Sequence, residues 1–360
     1  MANLFIVYTP FQLFVAQQIV SQEKLIDNIL VEGYVGENPH FYDIYDIMEM
    51  DNYWKKKIKF PDISSWDGLR ISSIRDAKKA YNNYKKIKKI LEENNVESIF
   101  LGEHQNQAMR FTNILFSHQG YSISFFEEGA AHYFDRKFIA NNSIKKRIKM
   151  FFMDYLYYLP VYHVKFAKWR YNVNMPCDEL SIYKRYNILP RHHEAYDVDL
   201  KVERLIPQGL SSYMQKEVGN ERSKVLLMTD PIAEFIGDKN MFLYYETIKF
   251  FFHNLPKDNV IYIKFHPRDP LKYRNKTIET FEQLGLEYKV LSKTVNIPVE
   301  YYLQSYSFEK IYLFNSSTYY YDGYVFPHCD FVNMLPELYN KCMKKDANKA
   351  SRLKHILASE

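Results

Sequence analysis

Apolar and polar positions follow two different periods along this chain, and each switch between them marks an element. Leu4 to Tyr8 is an unbroken apolar run, the pattern of a strand buried on both faces. Thr9-Pro10 follows, a hydroxyl able to cap a helix and a proline suited to its first turn. Phe11, Phe14, Val15 and Ile19 then fall on one helical face. The pattern next predicts a strand near 29–31 and a lysine-rich helix over 72–94. That helix turns Ile74, Ala77, Tyr81, Tyr84, Ile87 and Leu91 inward. A strand over 98–101, a helix over 106–118 and a strand over 122–126 complete the block. Strands alternating with helices predict an α/β fold with a parallel, doubly wound sheet. Ligands of such sheets bind beyond the carboxyl ends of the strands.

Residues 190–220 lose this rhythm and read as a connection between domains. A second block then predicts a strand over 224–228, a loop over 229–240 and a helix over 242–255. A strand over 260–265, a helix over 275–284 and strands over 288–291 and 310–314 follow. The expected organisation is an N-terminal domain over 1–205, a C-terminal domain over 221–335 and a helical tail over 336–360 packing across both. A chain of 360 residues is long enough for two cores.

Composition narrows the class. With 47% hydrophobic and 25% charged residues the chain is globular rather than disordered. The 32 Tyr and 26 Phe suit a sugar-binding cleft, but also an ordinary core. The net charge of +5 is concentrated. Nine Lys and Arg lie between Arg136 and Arg170 against one acid, Asp154, and the aromatic run Phe151 to Tyr158 is threaded through them. That mixture fits an anionic membrane surface, and fits equally a core helix with a solvated basic flank. The apolar run is too short to span a bilayer. No nucleic-acid motif accompanies the cations, so nucleic acid is not an expected partner. Three cysteines, Cys177, Cys329 and Cys342, without a CxxC, argue for a reducing compartment and against a zinc site. The start lacks a basic region and a cleavage site, so no signal peptide is expected.

Candidate chemistry sits at strand ends. Phe125-Phe126 runs into Glu127-Glu128-Gly129, where adjacent carboxylates repel and one is suited to act as a base. Ile263-Lys264-Phe265 runs into His266-Pro267. Lys264 and Arg268 add positive potential, and a protonated His266 could pair with a phosphate and serve as general acid. Asn315-Ser316-Ser317-Thr318 follows the strand over 310–314 and offers hydroxyls to an anion, or ordinary helix caps. Asp230 and Glu234 follow the first strand of the second block and are alternative bases. Asp197-Val198-Asp199 looks like a DxD metal clamp but falls in the irregular connection and reads as accidental. His192-His193-Glu194 has no metal-ligand spacing. Without GxGxxG or a Walker loop, dinucleotide oxidoreductases and P-loop enzymes are disfavoured.

Glu127-Glu128-Gly129, His266-Pro267 and Ser316-Ser317-Thr318, in this order, resemble the three motifs of bacterial sialyltransferases of the lipooligosaccharide and capsular polysialyltransferase group. The opening Phe5-Ile6-Val7-Tyr8-Thr9-Pro10-Phe11-Gln12 is similar to the start of the lipooligosaccharide enzymes. The resemblance implies a GT-B architecture of two Rossmann-like lobes with a central cleft. It implies CMP-sialic acid as donor, inversion at the anomeric carbon, no metal and no cofactor. The acceptor it implies is a terminal galactose-type sugar of a surface glycan. By the same carry-over, Glu128 or Glu127 deprotonates the acceptor, and His266 protonates the CMP phosphate. Lys264, Pro267, Asn315, Ser316, Ser317 and Thr318 hold the donor. Thr9, Pro10, Gln12, Asp230 and Glu234 are the acceptor-binding residues or alternative bases. The expected location is cytoplasmic, peripheral on the inner face of a bacterial plasma membrane, and a homodimer is compatible with the reading. The rival readings are a GT-B transferase using a UDP-hexose, a nucleotide-sugar epimerase of similar build, and a non-catalytic glycan- or membrane-binding protein of capsule assembly.

Overall fold

The computed structural model describes residues 2–33, 45–60, 74–102, 116, 119–127, 148, 151–163, 182–189, 195–221, 223–314, 316–321, 325–326, 328–347, 350 and 353. The chain divides into two units. The first joins Met1–Pro39 to Asn52–Glu203, and the second joins His40–Asp51 to Arg204–Glu360.

The first unit is built on seven parallel strands: β1 (Ala2–Val7), β2 (Asn28–Gly33), β3 (Lys56–Phe60), β4 (Val96–Gly102), β5 (Ser122–Phe126), β6 (Ile182–Asn187) and β7 (Asp197–Asp199). Their order is β3-β2-β1-β4-β5-β6-β7, so the winding reverses between β1 and β4. Central β1 buries Leu4, Phe5, Ile6 and Val7 completely. The Phe5 ring stacks on Phe100 of β4 with centroids 4.3 Å apart and meets the Trp54 edge at 5.2 Å. Helix α1 (Pro10–Gln22) follows β1, with Thr9 Oγ1 accepting the Gln12 amide at 3.2 Å as its N-cap. Helix α2 (Tyr45–Glu49) falls within the second unit, and α3 (Ile74–Glu93) returns to the first. A π-turn, Asp154–Tyr158, runs into α4 (Leu159–Tyr162).

The second unit carries α5 (Gln208–Glu217), β8 (Lys224–Met228), α6 (Ala233–Ile236), α7 (Met241–Phe252), β9 (Val260–Lys264), α8 (Leu271–Leu284), β10 (Glu287–Val290), α9 (Val299–Ser305), β11 (Lys310–Leu313), β12 (Phe331–Asn333) and α10 (Leu335–Lys345). The order β10-β9-β8-β11-β12 is again wholly parallel, and here the reversal lies between β8 and β11. Strand β9 is buried at every position, and Phe252, Phe281 and Tyr312 pack with the β8 and β9 side chains into one core. Leu335, Leu338 and Cys342 of α10 belong to that same core. Gly209 at the start of α5 lies close to Met50, whose carbonyl oxygen a β-carbon there would meet at 3.1 Å.

The central strands are where the hydrophobic pattern places them. Several others are not: β3, β6, β7 and β12 have no counterpart in the sequence expectation, and neither do α5 and α9. The stretch over 190–220 read as irregular contains β7 and α5. Asp197 is thus a strand residue, accepting from Asn187 Nδ2 at 3.3 Å and facing Arg185 at 3.9 Å. Most of the helix expected over 106–118 lies outside the described residues, as do His192, His193 and Glu194. Among the described residues no helix is long and apolar enough to cross a membrane.

Candidate functional site

The turn after β9 is held from three sides. Thr229, just past β8, is the centre of the first. Its amide donates to the Lys264 carbonyl at 3.1 Å, and its hydroxyl accepts the His266 amide at 2.8 Å. The same hydroxyl donates to Asp269 Oδ2. Arg274 of α8 provides the second, giving N–H groups to the carbonyls of His266 (3.1 Å), Pro267 (3.1 Å) and Asp269 (2.9 Å). Its guanidinium also lies 5.6 Å from the Phe265 ring. The third is internal: the Arg268 amide donates to His266 Nδ1 at 3.1 Å. An Nδ1 that accepts leaves Nε2 as the nitrogen that carries the proton in the neutral ring. Sequence and fold meet here, since Pro267 and Pro270 cannot extend the strand and force the tight turn that gathers these groups.

The surroundings are cationic. Burial, reinforced by Arg268, Lys264 and Arg274, pulls the His266 imidazole from its ordinary 6.5 down to about 3. The ring is therefore neutral in the unliganded chain, whereas the sequence suggested a protonated one. Lys264 is buried and donates to Asn296 Oδ1 at 2.6 Å. Burial lowers its ammonium to about 8, and the Glu300 and Glu217 carboxylates act against that fall. Glu217 of α5 takes the Ser292 amide at 3.0 Å and the Tyr302 hydroxyl, which fixes the loop presenting Asn296 to Lys264. Asp269 is pushed the other way, up to about 7, by burial first and by the neighbouring Asp230 charge, while the Thr229 hydroxyl opposes the shift.

The segment after β11 lies two strands away from β9, with β8 between them. Two strand spacings of about 4.8 Å set that separation at roughly 10 Å. Asp230 bridges this point, its Oδ2 accepting the Phe314 amide at 3.3 Å. Ser316 is half-buried and caps a single 3-10 turn, Ser317–Tyr321, by accepting the Thr318 amide at 3.3 Å. Thr318 turns inward. It is buried, receives the Ser316 hydroxyl at 3.1 Å and donates to Glu300 at 3.0 Å. Burial raises the Glu300 carboxyl above its ordinary value. Asn315 and the Ser317 side chain lie outside the description. Lys264, His266, Pro267, Asp230, Ser316 and Thr318 therefore gather at the carboxyl ends of β8, β9 and β11, beside the reversal of the winding where such sheets bind ligands. Glu234 stands apart in an exposed ion pair with Arg268 at 3.1 Å.

The remaining expected residues belong to the first unit. Glu127 is fully buried, and its Oε2 accepts the Ile188 amide at 2.6 Å, which ties β5 to the end of β6. Glu128 and Gly129 lie outside the described residues. Thr9, Pro10 and Gln12 sit where β1 and β4 part. Gln12 Oε1 accepts the Tyr8 amide at 2.7 Å, and its amide nitrogen rests against Gly102.

Thr229, Asp269, Arg274, Asn296 and Glu300 were not among the sequence candidates. A signal existed for two of them: Asp269 stands within the His-Pro-Arg-Asp-Pro run, and Arg274 falls four residues past Pro270, on the first turn of a helix. Asn296 and Glu300 carry no comparable mark, because the loop and short helix around them have no periodicity.

A family model described as alpha-2,8-polysialyltransferase matches residues 3–333. No curated protein sequence matches the chain. Among solved structures, the chain is similar to the UDP-GlcNAc 2-epimerase of Neisseria meningitidis, at TM-score 0.50 and 9% identity, over 98% of this chain and 94% of that one. It is also similar to the UDP-GlcNAc 2-epimerase of Methanocaldococcus jannaschii, at TM-score 0.50 and 12% identity, over the whole of both chains. At such identities the likeness concerns the fold alone. That fold is the GT-B type, two Rossmann-like α/β units in one chain.

Proposed function

The chain belongs to the alpha-2,8-polysialyltransferase family, and on that premise we propose that it transfers sialic acid from CMP-sialic acid to a glycan, with inversion and without a metal ion. The observation that carries the proposal is the His266 turn, a neutral imidazole set among Lys264, Arg268 and Arg274 at the end of β9. The donor brings two negative charges, its phosphodiester and the sialic acid carboxylate. A phosphodiester at Nε2 reverses the balance that keeps His266 unprotonated, because an anion favours the charged ring. The imidazolium then hands its proton to the phosphate as the bond to the anomeric carbon breaks. Lys264, and the Ser316 hydroxyl once it turns its proton from Thr318 to the ligand, are suited to charge that grows on that phosphate, and stabilise the transition state more than the ground state. Thr318 and Asp230 act as supports in this scheme, since their polar atoms are engaged with Glu300 and Phe314. Glu128 takes the acceptor proton, because the Glu127 carboxylate is buried and committed to the Ile188 amide. Asn315 and Ser317 complete the donor contacts.

The family description names a 2,8 linkage, which favours a sialic acid at the end of the acceptor over a terminal galactose. The test incubates the purified chain with CMP-sialic acid, with sialylated and galactosyl acceptors in parallel, in excess chelator. Transfer with CMP release is the expected result, and His266→Ala lowers it by about 10²–10⁴-fold. Turnover of UDP-GlcNAc with none of CMP-sialic acid overturns the donor assignment. Loss of transfer in chelator, restored by a divalent ion, overturns metal independence.

A further inference from the structure

The helical segment of residues 151–162 wears its apolar side outward. Ile148, Phe151, Phe152 and Leu156 are 51%, 56%, 53% and 72% exposed, and Tyr155 lies among them. Their spacing, i, i+3, i+4, i+7 and i+8, is the one that sets residues on one side of a helix. Phe151 and Tyr155 pack ring to ring at 4.5 Å across it. The opposite side is the one that holds the fold. Tyr158 and Tyr162 are buried, Tyr162 meets Tyr81 of α3 at 4.7 Å, and the Tyr157 and Tyr162 hydroxyls are 2.9 Å apart. The outward face is therefore not a misdirected core face, because the segment already buries another.

The charge pattern decides what covers it. Lys145, Lys146, Arg147 and Lys149 precede the segment, and Lys165, Lys168 and Arg170 follow it. The single acid between them, Asp154, points inward and is buried. A second copy of the chain meeting this face about a two-fold axis would set the same cations against each other. An anionic lipid surface offers phosphates to a cation-rich sequence and an acyl boundary to the exposed apolar side chains. The twelve residues 151–162 reach about 18 Å, short of the roughly 30 Å hydrocarbon core, so the segment lies along the surface instead of crossing it.

We propose that the face formed by Ile148, Phe151, Phe152, Tyr155 and Leu156 docks the protein on anionic phospholipid. The proposal is independent of the sugar chemistry above. It is tested with the full chain and vesicles of phosphatidylcholine, with and without about 30% phosphatidylglycerol, by co-sedimentation. Binding is expected only with the anionic lipid, and it weakens as salt is raised. Phe152→Ser combined with Leu156→Ser lowers vesicle affinity roughly tenfold or more while leaving helix content and activity on a soluble acceptor unchanged. Equal binding to both vesicles overturns the proposal, as does a double variant that sediments like the parent. Absence of vesicle binding, together with a dimer in sedimentation velocity that the double variant dissociates, assigns the face to a second copy instead.

Discussion

Replacing Thr229 by valine keeps the shape of a buried side chain and removes one hydroxyl. That hydroxyl accepts the His266 amide and donates to Asp269, so its loss leaves one buried and one half-buried polar group without this partner. Each such group costs about 1–3 kcal/mol, and the added methyl returns about 0.8 kcal/mol. The net cost is about 1–5 kcal/mol, confined to the second unit. The assay can be made equally local. All three tryptophans, Trp54, Trp66 and Trp169, fall in the residue ranges of the first unit, so tryptophan fluorescence reads that unit. Hydrogen exchange of peptides covering β8 and β9 reads the second. Thr229→Val is expected to speed that exchange by roughly 5- to 4,000-fold without moving the tryptophan transition. Thr229→Ser keeps the hydroxyl and costs about 1 kcal/mol for the lost methyl. The valine variant also weakens donor binding, because the His266 turn loses one of its three anchors. Exchange in Thr229→Val that matches the parent would mean the hydroxyl is not holding the turn, and the account of the site would be wrong at its base.

The two shifted groups beside Thr229 give opposite pH dependences. Asp269 is raised from 3.8 to about 7, so its contribution to stability is lost as pH rises through that range; His266 is lowered from 6.5 to about 3, so its contribution is lost as pH falls. They offset each other between about pH 4 and 6.5, and His266→Asn should uncover a fall of about 1.4 kcal/mol per pH unit in exchange-derived stability of the second unit, a prediction that a flat variant profile removes. Arg274→Lys keeps the charge but cannot span three carbonyls, so turnover with the CMP donor should drop about tenfold or more in initial-rate assays, and an unchanged rate would show that charge alone suffices. In the first unit, a β-carbon at Gly102 would lie 2.3 Å from Gln12 Nε2 and displace the amide from Tyr8. Gly102→Ala should cost about 1–3 kcal/mol by tryptophan-monitored urea unfolding, with most of that cost absent in a Gln12→Ala background; full additivity would argue that the two residues do not compete for the same space.

For most strands, what the sequence made legible follows from how many neighbours each has; β6, flanked on both sides yet not read, and the edge strand β10, which was read, are the exceptions. Strands β1, β8 and β9 are flanked on both sides and covered on both faces, so their apolar runs are unbroken and readable. Strand β3 reads Lys-Lys-Ile-Lys-Phe because it is an edge with one partner, and β7 reads Asp-Val-Asp for the same reason. Sequence periodicity carries little information when half of a strand faces solvent. Helices α5 and α9 are short and each begins just after a proline, Pro207 and Pro298, which a reader of breakers takes as a loop. Motif spelling located the carboxyl ends of β9 and β11 correctly, since a strand that stops at polar residues is visible in one dimension. It did not show which way the polar residues turn. Thr318 and Glu127 carry the right chemistry and spend it on Glu300 and on the Ile188 amide.

The structure also changes the electrostatic argument behind the site. A histidine that is already charged needs a compensating acid nearby, yet the groups around His266 are Lys264, Arg268 and Arg274, and the acid of the same turn, Asp269, is raised toward neutrality. Such a cluster is unfavourable to a positive ring while it is empty and favourable once an anion enters. The proton that His266 delivers is then taken up as the donor binds, so donor affinity becomes linked to pH. With the ring at about 3 in the free chain, binding at neutral pH draws about one proton from the buffer if the complex raises it above 7. Calorimetry of CMP binding in buffers of different ionisation enthalpy counts that proton directly. An uptake near one, lost in His266→Asn, supports an acid that is charged by its own substrate. An uptake near zero would leave His266 a neutral hydrogen-bond donor and require the departing phosphate to leave as an anion stabilised by Lys264 and Ser316 alone.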